Sequence, residues 1–209
     1  MVTCRIKVIL ALILFSAAIF CAENNEQEQL KSIYENILIK YAKVKYYEAD
    51  FQQENYWKEM DIIKKSWGKV YFDVDNFIMK YDDPEGQILL IENDSVTMYD
   101  AASKQALISN NMETELRPDK LISDYWINSE KKLLLNQEKN IKFKLSTNSK
   151  DQFFVLLNDY LIVEILIIDE DQNFVLYKFS SAKINEELPE SIFDYSFPDD
   201  ATILDNRQK

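Results

Sequence analysis

The sequence predicts a mainly β protein: one long antiparallel sheet, strongly curved, with helices on one side. Three observations carry this. From Glu48 onward, apolar residues come in about eleven short runs of strand character, and after the leader only two stretches, 26–47 and 118–127, show helical spacing. The runs are separated by brief polar turns such as NSKD, ND and DEDQN, too short for the crossovers that parallel strands require. A sheet of about eleven strands does not stay flat, and its twist curls it toward a barrel or half-barrel.

Residues 1–22 stand apart from that pattern. Arg5 and Lys7 precede VILALILFSAAIF, a short apolar run with the layout of a secretory signal peptide. The run is short for a transmembrane helix, and the richest later stretch, LIVEILII at 161–168, is interrupted by Glu164. The expectation is an exported chain in which residues 23–209 form a single domain. Both cysteines, Cys4 and Cys21, lie in or beside the leader, so no internal disulfide is expected. Two processing routes stay open. Cys21 is a candidate for lipidation, although Phe20 stands where a small residue is normally needed. Cleavage near Ala22 instead leaves Phe20 at the third position before the cut.

The first helix is expected within residues 26–47. Leu30, Ile33, Tyr34, Ile37, Leu38, Tyr41 and Val44 fall at three- and four-residue steps and make one apolar stripe. Its early Glu26 and Glu28 and late Lys43 and Lys45 suit the helix dipole. Strands follow at Ala49–Phe51, Lys69–Phe72, Phe77–Tyr81, Gln87–Ile91, Val96–Asp100 and Lys104–Ile108. PDKLISDYWI, at 118–127, reads as a second helix with Pro118 in its first turn. KLLLN, IKFKLS, FFVLLN, LIVEILII, FVLYKFSSA and IFDYSF complete the strands, and DNRQK is expected to trail off the fold. One run poses a question. Strand side chains alternate faces, so ILLI at 88–91 places apolar residues on both faces of the sheet. One face meets the core; the sequence does not say what covers the other.

Composition excludes several chemistries. The chain has no histidine, so Ser-His-Asp and Cys-His arrangements and histidine-based zinc sites are out. Gly68 and Gly86 are the only glycines, too few for a P-loop or a dinucleotide fingerprint. The net charge of −12 opposes nucleic acid and anionic membrane surfaces. Without residues 1–22 the chain keeps 22 basic against 36 acidic residues, a net −14. Acidic clusters such as Asp82-Asp83 and Asp169-Glu170-Asp171 sit between strands and read as solvated turns, not as paired catalytic carboxylates or a calcium loop. No enzymatic activity, metal or cofactor is expected.

The order of the motifs resembles a known family. EADFQQ follows the first helix; then come GKVYF, NFIMKYDDP, QILLIENDSVTMYD and the terminal SIFDYSFPDDATILDNRQK. This succession is similar to the LolA family, the periplasmic carriers of outer-membrane lipoproteins, and spans almost all of the chain after the leader. The resemblance implies an unclosed antiparallel half-barrel with a helical lid on its concave side, enclosing an apolar cavity. It implies a monomeric periplasmic chaperone that accepts lipoproteins by their acyl chains from an inner-membrane ABC transporter and passes them to an acceptor at the outer membrane. A lipid-anchored acceptor or sensor module of the same fold is the alternative if Cys21 is lipidated. Carried over position by position, the lipid-contacting candidates are Phe77, with Met79 on its face; Leu89, with Ile91 on its face; and Ile37 and Tyr41 on the first helix. One departure stands out. The family commonly has an arginine before the phenylalanine strand that tethers the lid. Here Val74 occupies that position, between Asp73 and Asp75. Another group closes the lid, or the lid is looser, or the partners differ.

Overall fold

The structure is a computed structural model that describes residues 25–92, 95–110 and 117–207. Helix α1 spans 25–41. Six strands follow: β1 (Tyr47–Trp57), β2 (Ile62–Phe72), β3 (Phe77–Asp83), β4 (Ile88–Glu92), β5 (Ser95–Asp100) and β6 (Gln105–Asn110). Helix α2 (Pro118–Trp126) precedes β7 (Ser129–Gln137), β8 (Asn140–Thr147), β9 (Gln152–Asn158), β10 (Leu161–Ile168) and β11 (Phe174–Ile184). Strand β12 (Thr202–Asp205) is the last of the described strands. The strands form a single 12-stranded sheet in the order β12-β6-β5-β4-β3-β2-β1-β11-β10-β9-β8-β7. Every pairing is antiparallel except β12 against β6. Strands β12 and β7 lie at opposite ends of this order, so the barrel is unclosed.

Several boundaries differ from the sequence reading: β1 runs on to Trp57 and β2 begins at Ile62, not Lys69, as one long hairpin, and two other differences have a clear cause. Helix α1 stops at 41, short of 47, because the chain is drawn into the sheet by Asn185. The Asn185 Oδ1 accepts from Lys45 N at 2.6 Å, and its Nδ2 donates to the Lys43 carbonyl at 2.9 Å. Tyr47 can then begin β1, paired with Phe72 on one side and Ile184 on the other. The second difference is the last strand. IFDYSF, at 192–197, lies outside regular structure, whereas Thr202–Asp205, part of it expected to trail off, pairs with β6.

These differences answer the question raised by ILLI. Leu89 belongs to the main core on the concave face, and Ile91 packs against it. Ile88 and Leu90 belong to a second core on the convex face with Tyr71, Ile78, Tyr99 and Ala106. The connection from β11 to β12 covers that second core with Leu188, Ile192, Phe193, Tyr195 and Phe197. Tyr99 meets Tyr195 and Phe197 with ring centroids 6.1 and 5.8 Å apart. The apolar-polar alternation of IFDYSF is real, but its alternate aromatics dock on the sheet from outside.

The concave core is closed by the helices. Leu30, Ile33, Ile37 and Tyr41 are buried on α1, while Leu38 is exposed at the stripe's margin. Tyr34 of α1 stacks on Trp126 of α2 at 4.3 Å, and Trp126 meets Phe143 of β8 edge-on at 5.7 Å. Polar ties fix α1 at both ends: Glu26 Oε1 accepts from Leu133 N at 2.8 Å, and Lys40 pairs with Asp159 at 2.9 Å.

A charged group knits the convex side of β1, β2 and β11. Lys69 Nζ donates to Asp50 Oδ1 at 2.8 Å and Glu48 Oε1 at 3.2 Å, and Lys183 reaches Glu48 at 3.3 Å. The hydrogen bond from Lys69 holds the Asp50 carboxyl below its ordinary range. Burial pushes Glu48 up, but Lys69 and Lys183 together outweigh it and leave it lowered too. A depressed folded pKa stabilises above the unfolded value and is lost as pH falls through the folded one. Lys69→Gln is therefore expected to cost about 1 kcal/mol or less at pH 7, since the lysine is partly exposed. That cost should shrink at a pH of about 3, below the ordinary carboxylate range, and vanish only below the depressed folded values. Urea midpoints of both proteins at the two pH values check this.

Candidate functional site

Alternation along the strands determines which residues meet inside the curve. On β3, Phe77 and Met79 face the concave side, and Ile78 the convex side. They form one wall of an apolar cavity of about 100 Å³. Ile165 and Ile167 of β10 with Val175, Tyr177 and Phe179 of β11 form the opposing wall, and Leu121 of α2 joins them as the roof. Strands β3 and β10 are four steps apart in the sheet order. In a flat sheet that is about 19 Å at the usual strand spacing, so a shared cavity requires the strong curl expected from strand number.

Among the described residues, the lining carries no formal charge at neutral pH. Burial pushes the Tyr177 hydroxyl up to about 12. Tyr81, beside the cavity, is raised further by burial and by the neighbouring Tyr177, and its hydroxyl donates to Gln53 Oε1 at 3.0 Å. Such a pocket suits an uncharged aliphatic group. It offers no acid-base pair and no ligand set for a cation, and no metal-binding cluster occurs among the described residues.

The six residues singled out from the sequence fall into three places. Phe77 and Met79 line the cavity. Leu89 and Ile91 sit one strand further out, in register with Met79 and Phe77 respectively. Ile37 and Tyr41 are buried where α1 meets the sheet, outside the cavity lining. The Tyr41 hydroxyl accepts from Ile162 N at 3.2 Å, and its ring lies 6.4 Å from that of Phe72. The sequence reading missed Leu121 and the five residues of β10 and β11. Period-two alternation in LIVEILII and FVLYKF held the signal for those five, but which parity faces inward is decided by register.

Residues 42–196, more than half of the chain, match the family described as Outer membrane lipoprotein carrier protein LolA. The chain belongs to the LolA family. No curated protein sequence matches it. Among solved structures it is similar to an uncharacterized conserved protein from Thermus thermophilus, with 15% identity and a TM-score of 0.53, over 85% of this chain and 99% of that one. It is also similar to MucB, with 11% identity and a TM-score of 0.54, covering 82% of this chain and 63% of MucB. MucB in complex with MucA(peri) matches at 10% identity and a TM-score of 0.51, over 79% of this chain and 59% of that one. At these identities the likeness is one of fold.

The departure at Val74 from the LolA family pattern has a structural counterpart. Val74 is exposed and tethers nothing through its side chain. The cation comes instead from the lid. Arg117, which immediately precedes α2, donates through Nη1 to the carbonyls of Asp73 at 3.2 Å and Val74 at 3.4 Å. Its guanidinium also lies 4.8 Å from the Phe72 ring centre. The start of the roof helix is thus tied to the β2–β3 turn, with donor and acceptor sides exchanged relative to the family's arginine. The turn is itself held by Asp73, whose Oδ1 accepts from the backbone N–H groups of Asp75 and Asn76. Arg117→Ala removes the charged hydrogen bonds and the ring contact, together about 1–2 kcal/mol at a partly exposed site. It is expected to speed amide exchange in 118–126 roughly tenfold and to leave β8–β9 exchange unchanged, as followed by hydrogen-exchange mass spectrometry.

Proposed function

We propose that this protein is a periplasmic lipoprotein carrier. It takes up the acyl chains of lipoproteins released by an inner-membrane ABC transporter and delivers them to an acceptor at the outer membrane. The observation that supports this reading most directly is the uncharged apolar cavity roofed by a separately tethered helix in a chain of the LolA family. Each buried methylene contributes about 0.8 kcal/mol, so two or three acyl chains sum to tens of kcal/mol and do not leave a membrane unaided. A carrier must cover them and still release them, which favours adaptable walls of Met and aromatic side chains.

The cavity as it stands is the closed form on this reading. A space of about 150 Å³ holds only a benzene-sized solute, and this one is smaller. Acyl uptake therefore requires the α2 roof to move outward, with Arg117 released from the β2–β3 turn. The test is extraction. Residues 23–209, incubated with ATP, the transporter and inner-membrane vesicles loaded with a triacylated lipoprotein, are expected to yield a soluble carrier–lipoprotein complex. Release no greater than in a carrier-free control contradicts the reading. Mass spectrometry of the mature N-terminus decides between a free carrier and one anchored through a lipidated Cys21.

A further inference from the structure

The cavity does not end where its roof ends. On the concave face the strands are in register along one row: Val70, Met79, Leu89, Met98, Leu107 and Leu204 are successive partners across β2, β3, β4, β5, β6 and β12. All six are apolar. Exposure rises abruptly along the row. Met79 and Leu89 are buried at 4% and 9%, while Met98, Leu107 and Leu204 are 44%, 38% and 48% exposed. A strip of aliphatic side chains thus runs from the cavity wall out to the β12 end of the sheet.

Its width limits what it can hold. On the same face the row is bounded by Asp100, Gln105 and Thr202 on one side and, on the other, by buried Val96 on β5 and Ser109 on β6. It is one residue wide where it is exposed, too narrow for a protein docking surface. Its length from Met79 to Leu204 is four strand spacings, about 19 Å. An extended alkyl chain of about fifteen carbons covers that distance, since C–C bonds of ~1.5 Å advance ~1.25 Å per carbon. We propose that the row Met79–Leu89–Met98–Leu107–Leu204 is a binding track for one linear acyl chain, which lies across the strands with one end in the cavity and the other at β12. This rests on the carrier reading above and adds to it. The roofed cavity takes the first carbons of a chain, and the exposed part of the track takes the rest once the groups that bury Leu89 move aside.

The methionines report on this directly, because exposed Met is oxidised to the sulfoxide and buried Met is spared. Residues 23–209 are treated with dilute peroxide alone and with saturating synthetic lipopeptides carrying one chain of about sixteen or about eight carbons. The longer chain is expected to slow Met98 oxidation about fivefold or more. The shorter is expected not to, and Met60, 60% exposed on the β1–β2 hairpin, is expected to oxidise equally in all samples. The double change Met98→Ser with Leu107→Ser falls on side chains that are 44% and 38% exposed, outside the buried core, so the fold is expected to be kept. It is expected to weaken long-chain binding about tenfold and leave short-chain binding unchanged. Binding of both lengths with Met98 unprotected overturns the track and leaves the carrier reading standing. Protection of Met98 that grows with protein concentration, without lipopeptide, assigns the strip to a second copy and also overturns it. Failure to bind either length removes the carrier reading and the track together.

Discussion

Phe77→Glu is expected to weaken binding of an acylated peptide about a thousandfold. Phe77 is buried and shares the cavity wall with Met79, facing Leu121 and β11. A carboxylate there must either stay hydrated, drawing water into the acyl site, or be desolvated when the chain enters. Desolvating an unpaired charge costs several kcal/mol, and each 1.4 kcal/mol is a factor of about ten in affinity. Two readouts separate this from a simple folding defect. Phe77→Leu, aliphatic and uncharged, should keep affinity within about tenfold. The Glu variant should also recover part of its affinity as pH is lowered, because an apolar surrounding raises a carboxyl's pKa and the neutral acid is tolerated. Calorimetric titration of all three proteins at neutral and mildly acidic pH reads both. Equal affinities of wild type and the Glu variant would mean that acyl chains bind elsewhere.

Gly68→Ala is expected to destabilise the fold by about 3–5 kcal/mol, at the upper end for a single substitution. Gly68 lies on β2 opposite Phe51 of β1, and the β2–β3 register shifts between Trp67 and Gly68. A Cβ at this position would lie 2.1 Å from the Lys80 carbonyl oxygen and 2.8 Å from Tyr81 Cα. Both are backbone atoms, so no side chain can swing away, and β3 would have to part from β2. The strain falls beside the cavity, because Tyr81 contacts Phe51 edge-on at 5.0 Å and bonds Gln53. Urea unfolding of the variant gives the stability. A loss below about 1 kcal/mol, typical of an unremarkable surface change, would show that the two strands are not held this closely.

The parts of this fold that depend on local pattern could be read from the sequence. The α1 stripe placed Leu30, Ile33, Ile37 and Tyr41 in the core, and ILLI put apolar residues on both faces of the sheet, without saying what covers the convex one. What could not be read depends on partners distant in the chain. Helix α1 ends where Asn185, about 140 residues later, takes the backbone groups of Lys43 and Lys45. IFDYSF has a strand's alternation, yet its aromatics cover the convex core and β12 forms from the four residues Thr202–Asp205. Arg117 gave no signal because its acceptors are backbone carbonyls, which any residue possesses. At the site, Phe77 and Met79 came from motif resemblance and lie in the cavity wall. Tyr41 was chosen on the same ground but is tied to β10 by its hydroxyl, which the helical stripe alone could not disclose.

The central claim is that the concave cavity takes acyl chains. The most direct measurement is calorimetric binding of one triacylated lipopeptide, and of the same peptide without its acyl chains, to residues 23–209 at several temperatures. The account predicts binding of the acylated form alone, with the negative heat-capacity change that marks apolar burial. Equal affinity for the two peptides, or no binding of the acylated one, would contradict it.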